Sequence, residues 1–446
     1  MKKHLLNAFV IVLIIFIFAS CGNSRQSSQG NEQKSSESSQ QIGDAIDMSL
    51  VTAGGIYQMH AVTENGCYEI YNHIDGHGKL FFYDFENRTI SFVTNQETPT
   101  DDETNPGWIS DLMGGMIPVT AGDSLYLFKL GGLPLPSENF PGFEKYIIKM
   151  DFDGTNCEKI SLSSRQEFNT GGIVFDGKYL YFVVNEYYDD CETLKQYHLC
   201  RANFDNMQLE VICELGNEDT YSLVDVYDDG LVFQRFRAIG TTIDEYNMEV
   251  PLLESKIVMY SIVENKLVEP KENITWKNGS LSCVFDSHSK IYYVEPDSPK
   301  LSFFDIKTGE STVVCENLNV DSLAMDAIYV EGSIIDNHIP FSITVSDSED
   351  FYYIRYFYDL DTGDIVKVSF DDTTGLEAGG MYIVGEMEKE FFVCMGGRYV
   401  TTTKTSKSNN SYTFDELIYE YAMISKEDYW SSVPNFEPFE DFVHVR

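Results

Sequence analysis

Basic residues are scarce in this 446-residue chain: lysine and arginine total 31 against 71 aspartates and glutamates, a formal charge of −40. Nucleic-acid binding needs basic patches that displace counterions, so that class is excluded. Attraction to anionic lipid head groups is disfavoured for the same reason. No Cys-x-x-Cys occurs, which removes the usual signal of zinc ribbons and thioredoxin-like redox chemistry. Gly-x-Ser-x-Gly, His-Glu-x-x-His and Gly-Lys-Ser/Thr are missing as well. With them go the serine-hydrolase elbow, the zinc-peptidase helix and the phosphate-cradling loop. Helical periodicity is nearly absent from the body of the chain.

The one long apolar run lies at the N-terminus. Met1-Lys2-Lys3-His4 precedes residues 5–18, which are apolar except for Asn7, and Ala19-Ser20-Cys21 follow. Two lysines, a short apolar stretch and small residues before a cysteine form a secretion signal. The run is too short for a comfortable membrane span. Its Ala-Ser-Cys ending resembles the lipobox of bacterial lipoproteins. That resemblance implies cleavage after residue 20, a diacylglyceryl thioether on Cys21, and a place on the outer face of the bacterial cytoplasmic membrane. An ordinary signal peptide with a chance cysteine is the alternative. Residues 21–46 are rich in Ser, Gln, Asn and Gly and cannot bury enough surface to offset chain entropy. They read as a tether, with a coil span of roughly 28 Å. Residues 47–446 form the folded domain. Its acidity keeps it soluble outside the cell; weak binding of Ca²⁺ or of a cationic partner is the sharper alternative.

A repeat organises that domain. Phe304-Asp305-Ile306-Lys307-Thr308-Gly309-Glu310 and Tyr358-Asp359-Leu360-Asp361-Thr362-Gly363-Asp364 match closely. Each lies between two alternating strands, and glycine suits the positive-φ position of a tight turn. Weaker copies turn near residues 86, 153, 205, 264 and 426, which makes seven. A second hairpin type falls between them, as in Asp176-Gly177-Lys178-Tyr179-Leu180-Tyr181-Phe182. Its sixth copy, around residues 324–345, is blurred. Two hairpins per repeat give four antiparallel strands. A lone four-stranded sheet cannot bury both faces, but seven around an axis can, and the spacing suits such a repeat. The fold expected is all-β: a seven-bladed β-propeller of four-stranded antiparallel blades. Six or eight blades are the alternatives, because the sixth copy is weak and residues 442–445 could add a closing strand.

With its signal, tether and repeats, the whole resembles Firmicutes-type bacterial surface lipoproteins that carry a β-propeller domain of unknown function. Phe152-Asp153-Gly154-Thr155-Asn156 is the best local match to the Asp-Gly-Thr-like turns of such propellers. The resemblance covers architecture and carries no functional motif.

Propeller topology sends the A–B and C–D turns to one rim. The B–C loops and the links from strand D to the next strand A go to the other. The long connections, residues 96–115, 131–144, 186–196, 238–255 and 396–415, all fall in the second class. Binding residues concentrate on loops held by a rigid scaffold, so this rim is the expected working face. Its candidate contact residues are Trp108, Phe140, Phe143, Tyr187, Tyr188, Asp189, Asp190, Tyr246 and Tyr399. Exposed aromatics of this kind suit protein or sugar recognition; local packing under each loop is the competing role.

His73, Asp75 and His77 form the one local histidine–carboxylate group and could hold a divalent metal. A polar Gly-rich turn explains them too. The Asp-rich hairpin turns lack the ligand ladder of an EF-hand. No cofactor is expected, with Ca²⁺ or another divalent cation as the alternative. Cys191 and Cys200 flank one short loop and could form a disulfide; free buried cysteines explain the cysteine pattern as well. The function expected is a non-enzymatic, lipid-anchored propeller that binds a protein, peptide or cell-wall glycan. The membrane is met only through the lipid. A propeller hydrolase or lyase acting on polysaccharide is the alternative, since acidic pairs suited to such chemistry arise by chance among so many carboxylates.

Overall fold

The computed structural model describes residues 48–439, apart from 53–58, 73–76, 95–103, 110–111, 113–114, 134–141, 170, 192, 229, 244–248, 271–273, 278–282, 287–288, 295–297, 322–324, 347–350, 371–380 and 406–410. Cys21 and the residues 442–445 expected to add a strand lie outside the described residues.

A short first strand, β1 (Ser49–Thr52), precedes seven sheets. Blade 1 is β2 (His60–Val62), β3 (Gly66–Asn72), β4 (Gly78–Asp84) and β5 (Thr89–Phe92), with β6 (Trp108–Ile109) also paired to β4. Blade 2 is β7 (Met116–Ala121), β8 (Ser124–Lys129), β9 (Tyr146–Asp151) and β10 (Glu158–Ser161). In blade 3 the inner strand is split into β11 (Gln166–Phe168) and β12 (Ile173–Phe175). Both pair with β13 (Leu180–Tyr187), followed by β14 (Leu194–Asn203) and β15 (Gln208–Gly216). Blade 4 is β16 (Asp219–Tyr227), β17 (Gly230–Ile243), β18 (Glu249–Ser261) and β19 (Lys266–Val268), with β20 (Thr275–Lys277) also on β18. Blade 5 is β21 (Cys283–Phe285), β22 (Lys290–Val294), β23 (Leu301–Asp305) and β24 (Glu310–Cys315). Blade 6 is β25 (Met325–Val330), β26 (His338–Ser346), β27 (Phe351–Asp359) and β28 (Ile365–Val366), which resolves the copy blurred in the sequence. Blade 7 is β29 (Tyr382–Glu386), β30 (Glu390–Thr405), β31 (Ser411–Ser425) and β32 (Glu437–Pro438). The chain is thus a seven-bladed β-propeller of antiparallel four-stranded blades.

The strands are apolar on both faces because each blade has two neighbours. In β8, Leu125 and Leu127 join the core shared with blade 1, while Tyr126 and Phe128 join the core shared with blade 3. In β13, Phe182 and Val184 face blade 2, and Tyr181 and Val183 face blade 4. One such core fills every junction around the ring.

The repeated turns have a common build. Strand C ends in all seven blades on a short polar residue: Asp84, Asp151, Asn203, Ser261, Asp305, Asp359 or Ser425. Its side chain accepts hydrogen bonds from the turn that follows. Asp359 Oδ1 takes the N–H of Asp361 at 2.8 Å, and Asn203 Oδ1 takes that of Asp205 at 2.9 Å. This is the Asx-turn device, which holds a bend without a partner from another segment. Four residues on, the backbone is left-handed at Arg88, Met207, Asn265, Gly309 and Gly363. The aspartates that look calcium-like in sequence therefore serve the turns.

Three expectations need correction. Residues 238–255 and 396–415 are not open loops, because β17–β18 and β30–β31 continue through most of them as long hairpins. Threonine and β-branched residues sustain pairing there, while the glycines that read as loop mark β-bulges at Ala238/Gly240 and Cys394/Gly396. The C–D connection of blade 7 is not a tight turn but a short helix, α1 (Lys426–Trp430), capped by the Ser425 hydroxyl. Cys191 and Cys200 are free thiols. Cys200 lies six strand positions beyond Leu194 in β14, roughly 20 Å along the strand, whereas Cys191 sits in the turn before it. A disulfide needs Cα atoms within about 7 Å.

Among the described residues, every blade takes its four strands from one stretch of chain, so the described strands include none exchanged where blade 7 meets blade 1. That junction is closed by Tyr83, Phe85, Phe392, Tyr421 and Phe439 around one buried carboxylate. Glu69 is 7% exposed; it accepts from the Tyr83 hydroxyl and, at 2.7 Å, from the Tyr421 hydroxyl. His60 Nε2 lies 2.8 Å from that same Tyr421 oxygen and 3.5 Å from Glu69. Burial alone would raise the Glu69 carboxyl. The hydrogen bonds of His60, Tyr83 and Tyr421 and the charge of His60 outweigh it and hold the group below its ordinary value.

Phe392→Ala removes a fully buried ring from this junction and is expected to lower unfolding free energy by about 3–5 kcal/mol in urea titrations. Val313→Ala, at a 43% exposed site, should change it little. Because the Glu69 pKa is depressed on folding, its contribution is present above the ordinary carboxylate range and lost as pH falls through the folded value. Glu69→Gln should therefore flatten the acid limb of the stability–pH profile. Superimposable acid limbs for the two proteins would contradict the closure described.

Candidate functional site

Strand order places the B–C loops and D-to-A links on one rim, opposite the short A–B and C–D turns. Two hairpins rise from the long-loop rim. Strands β17 and β30 have 14 and 16 residues, against five in β22, so each runs roughly 30 Å or more beyond a strand of that length. Blades 4 and 7 lie three positions apart one way round the ring and four the other, so the hairpins stand on nearly opposite sides of the axis. A bulge at each root bends the strand, and at Gly396 the backbone has a φ of 126° that favours glycine.

Between them, blades 2 and 3 bring ionisable groups together at the same rim. Lys145, 2% exposed, donates from Nζ to the Ser164 carbonyl at 2.9 Å. Burial pushes its pKa down, and the charge of Glu167 only partly opposes this. Burial pushes the Glu167 carboxyl up. Lys145, the Tyr187 hydroxyl and the Leu133 backbone N–H counter part of that shift. Alongside, Glu186 accepts from Lys195 at 2.9 Å and lies 2.6 Å from Nε2 of the buried His198. These partners hold its carboxyl below the usual range. The result is a polar seat in which one amine and one carboxyl are both shifted toward their neutral forms, flanked by the Glu186 carboxylate with its Lys195 and His198 partners. Such paired shifts mark sites suited to binding or proton transfer.

Several of the expected residues border this seat. Tyr187 ends β13, and its hydroxyl is raised in pKa by burial and by Glu167. Tyr188 is half-exposed at 50%. Asp189 pairs with Arg165. Asp190 caps its own turn by accepting from the Thr193 N–H at 2.9 Å and hydroxyl at 2.7 Å. Phe143 bridges to Gly132, with Lys129 Nζ 5.9 Å from its ring. Trp108 lies elsewhere, on the outer edge of blade 1, where it is half-buried and packs on His77 at 4.5 Å between ring centres. Tyr399, 54% exposed, stands on the blade 7 hairpin. Phe140, Tyr246, His73 and Asp75 lie outside the described residues. Among the described residues, no group of three His, Cys, Asp or Glu side chains could hold a metal ion.

The sequence pointed to none of Lys145, Glu167, Glu186 or His198. The available signal was a charged residue next to a strand's apolar positions, as in Gln166-Glu167-Phe168 and Lys145-Tyr146-Ile147. Two crevices lie away from the seat. One, of about 400 Å³, opens on the short-turn rim between blades 2 and 3, beside Asp123, Lys149, Lys178 and Asp205. The other, of about 160 Å³, lies at the junction of blades 7 and 1 beside Arg398 and Tyr421.

No protein-family model matches the chain, and no curated protein is similar to it. Among solved structures, an oligogalacturonate lyase in complex with manganese matches 86% of this chain and 94% of its own, with a TM-score of 0.42 and 11% identity. The β-propeller domain of the trilobed protease from Pyrococcus furiosus, described as having an open velcro topology, matches 85% of this chain and 94% of its own (TM-score 0.40, 11% identity). A prolyl endopeptidase matches 86% of this chain and 55% of its own (TM-score 0.47, 10% identity). At these values the likenesses say nothing of this chain's chemistry.

Asp190→Ala should destabilise the protein by roughly 0.5–1 kcal/mol through loss of its turn-capping bonds. Asp189→Ala, next in sequence with its side chain 93% exposed, should leave urea stability unchanged. Equal effects would show that the turn is not held as described.

Proposed function

We propose that this protein is a lipid-anchored, extracellular binding propeller that captures a protein, peptide or cell-wall glycan on its long-loop rim. One observation carries the proposal. The tyrosines exposed among the described residues are Tyr188, Tyr353, Tyr399 and Tyr419, and all four stand at that end of the ring, on blades 3, 6 and 7. Tyrosine combines a large apolar face with a polar tip at low entropic cost, which is why it concentrates in recognition surfaces. Rigid strands carry Tyr399 and Tyr419, so little ordering opposes binding. A broad face of this kind does not need a deep cavity: the larger crevice opens on the opposite rim, and the smaller one, of about 160 Å³, is lined in part by Tyr419 itself. The anchor is inferred from Cys21 and its lipobox-like context alone.

A polysaccharide hydrolase or lyase is the second reading. It is favoured by the Glu167 carboxyl, raised by burial and bonded to Tyr187 beside Lys145. In that case Glu167→Gln would abolish glycan cleavage without loss of folding.

The test is capture from cell-wall fragments and envelope proteins, together with a glycan array, using the full chain. Tyr399→Ala and Tyr188→Ala are expected to weaken any captured interaction by about tenfold or more, as central aromatic contacts do. Phe152→Ala, at an exposed site on the opposite rim, should not. Loss with Phe152→Ala and retention with both tyrosine variants would overturn the assignment of the face.

A further inference from the structure

The first strand does not take the place that closes many rings. Blade 7 is complete without it, and β1 pairs instead with β12, the innermost strand of blade 3. The outer edge of β12 is already paired with β13, so β1 lies on the edge that faces the ring axis. It touches β7 and β16 as well, the innermost strands of the two flanking blades. Leu50 and Met48 pack against the core between blades 3 and 4, and Val51 against the core between blades 2 and 3. Thr52 is 1% exposed. Gly172 makes room for it: a Cβ there would lie 2.9 Å from the Thr52 carbonyl oxygen and 2.8 Å from that of Leu223.

The pairing fixes a direction. Strand β12 runs from the long-loop rim to the A–B turn at Asp176-Gly177. Strand β1 is antiparallel to it, with Ser49 opposite Phe175 and Thr52 opposite Ile173. The chain therefore enters the axis at the short-turn rim and climbs toward the long-loop rim. We infer that the N-terminal segment is threaded along the axis from the short-turn rim, so that a molecule held at Cys21 turns its tyrosine-bearing rim away from the anchor and toward wall-bound or soluble partners. The orientation rests on the anchored-binding proposal; the threading does not. The same strand ties three innermost strands together, which helps to hold the ring. It also supplies partners to backbone groups of β12 that would otherwise form an open edge.

Two measurements on the full chain test this. In the first, Ser49→Cys is combined with Phe175→Cys and oxidised; antiparallel partners lie within disulfide reach. A cross-link seen as a shift on non-reducing gels is expected. None is expected when Ser49→Cys is combined with Phe285→Cys, at the like position of blade 5. Absence of the first cross-link, or equal formation of both, overturns the threading. In the second, the lipidated protein is placed in vesicles that carry an acceptor-labelled lipid, with a donor at Lys178→Cys on the short-turn rim or at Asp189→Cys on the long-loop rim. Both are made with Cys157→Ser to remove the exposed native thiol. Energy transfer should be greater from position 178, and equal or reversed transfer overturns the orientation. Neither measurement uses a ligand, so a failure of the tyrosine variants to affect capture would leave both results standing.

Discussion

Burial of both faces of every sheet is the constraint from which the rest of the molecule follows. A four-stranded blade with alternate residues apolar on each side cannot stay single in water. Packing it between two neighbours solves this for the interior of a row but leaves two bare ends. The ring removes the ends, and among the described residues it does so without an exchanged strand. Among the described residues, the junction of blades 7 and 1 is held by side chains. That junction carries a dense group of aromatic rings and the Glu69 carboxylate with its tyrosine and histidine partners. A buried charge is costly unless it is well bonded, and Glu69 receives bonds from both sides of the seam: Tyr83 on blade 1 and Tyr421 on blade 7. The arrangement ties the closure to a specific register of two blades, where greasy contact alone would tolerate sliding.

Closure then fixes the two rims. Once the strands alternate around a closed axis, all long connections emerge together, and the hairpins of blades 4 and 7 rise on either side of the same mouth. The polar seat of Lys145, Glu167 and Glu186 lies between them on blades 2 and 3. The N-terminal strand uses the one surface the ring leaves over, the inner edges along the axis. In this acidic chain, the long-loop rim offers tyrosine hydroxyls and rings together with bonded charged side chains.

Much of the fold was legible in the sequence because its signals are local. The Asp that ends strand C and the Thr-Gly four residues later identify blades 5 and 6 outright. The weaker copies use the same geometry with less obvious residues. Arg88 and Met207 hold the left-handed position that Gly309 and Gly363 fill, and neither residue type announces it. Blade 7 departs further, with Ser425 capping a helix in place of a turn. The hairpins of blades 4 and 7 depart from the loops expected at residues 238–255 and 396–415, because Gly240 and Gly396 mark bulges within continuous strands. The site was less legible. Exposed tyrosines could be named from loop positions, but the charge influence between Lys145 and Glu167 reaches across two blades, and β1 docks on a strand more than a hundred residues away. Such contacts depend on the closed ring and leave no local pattern.

Native-state hydrogen exchange resolved by peptide tests the closure most directly. If the ring is shut by the junction of blades 7 and 1, the amides of β3, β4, β30 and β31 within the blades should be protected to the same degree as those of β8 and β13, where consecutive blades meet. Exchange of the terminal blades orders of magnitude faster than blades 2 and 3, under conditions where the protein stays folded, would show that the ring stands open and would contradict the structure on which both rims depend.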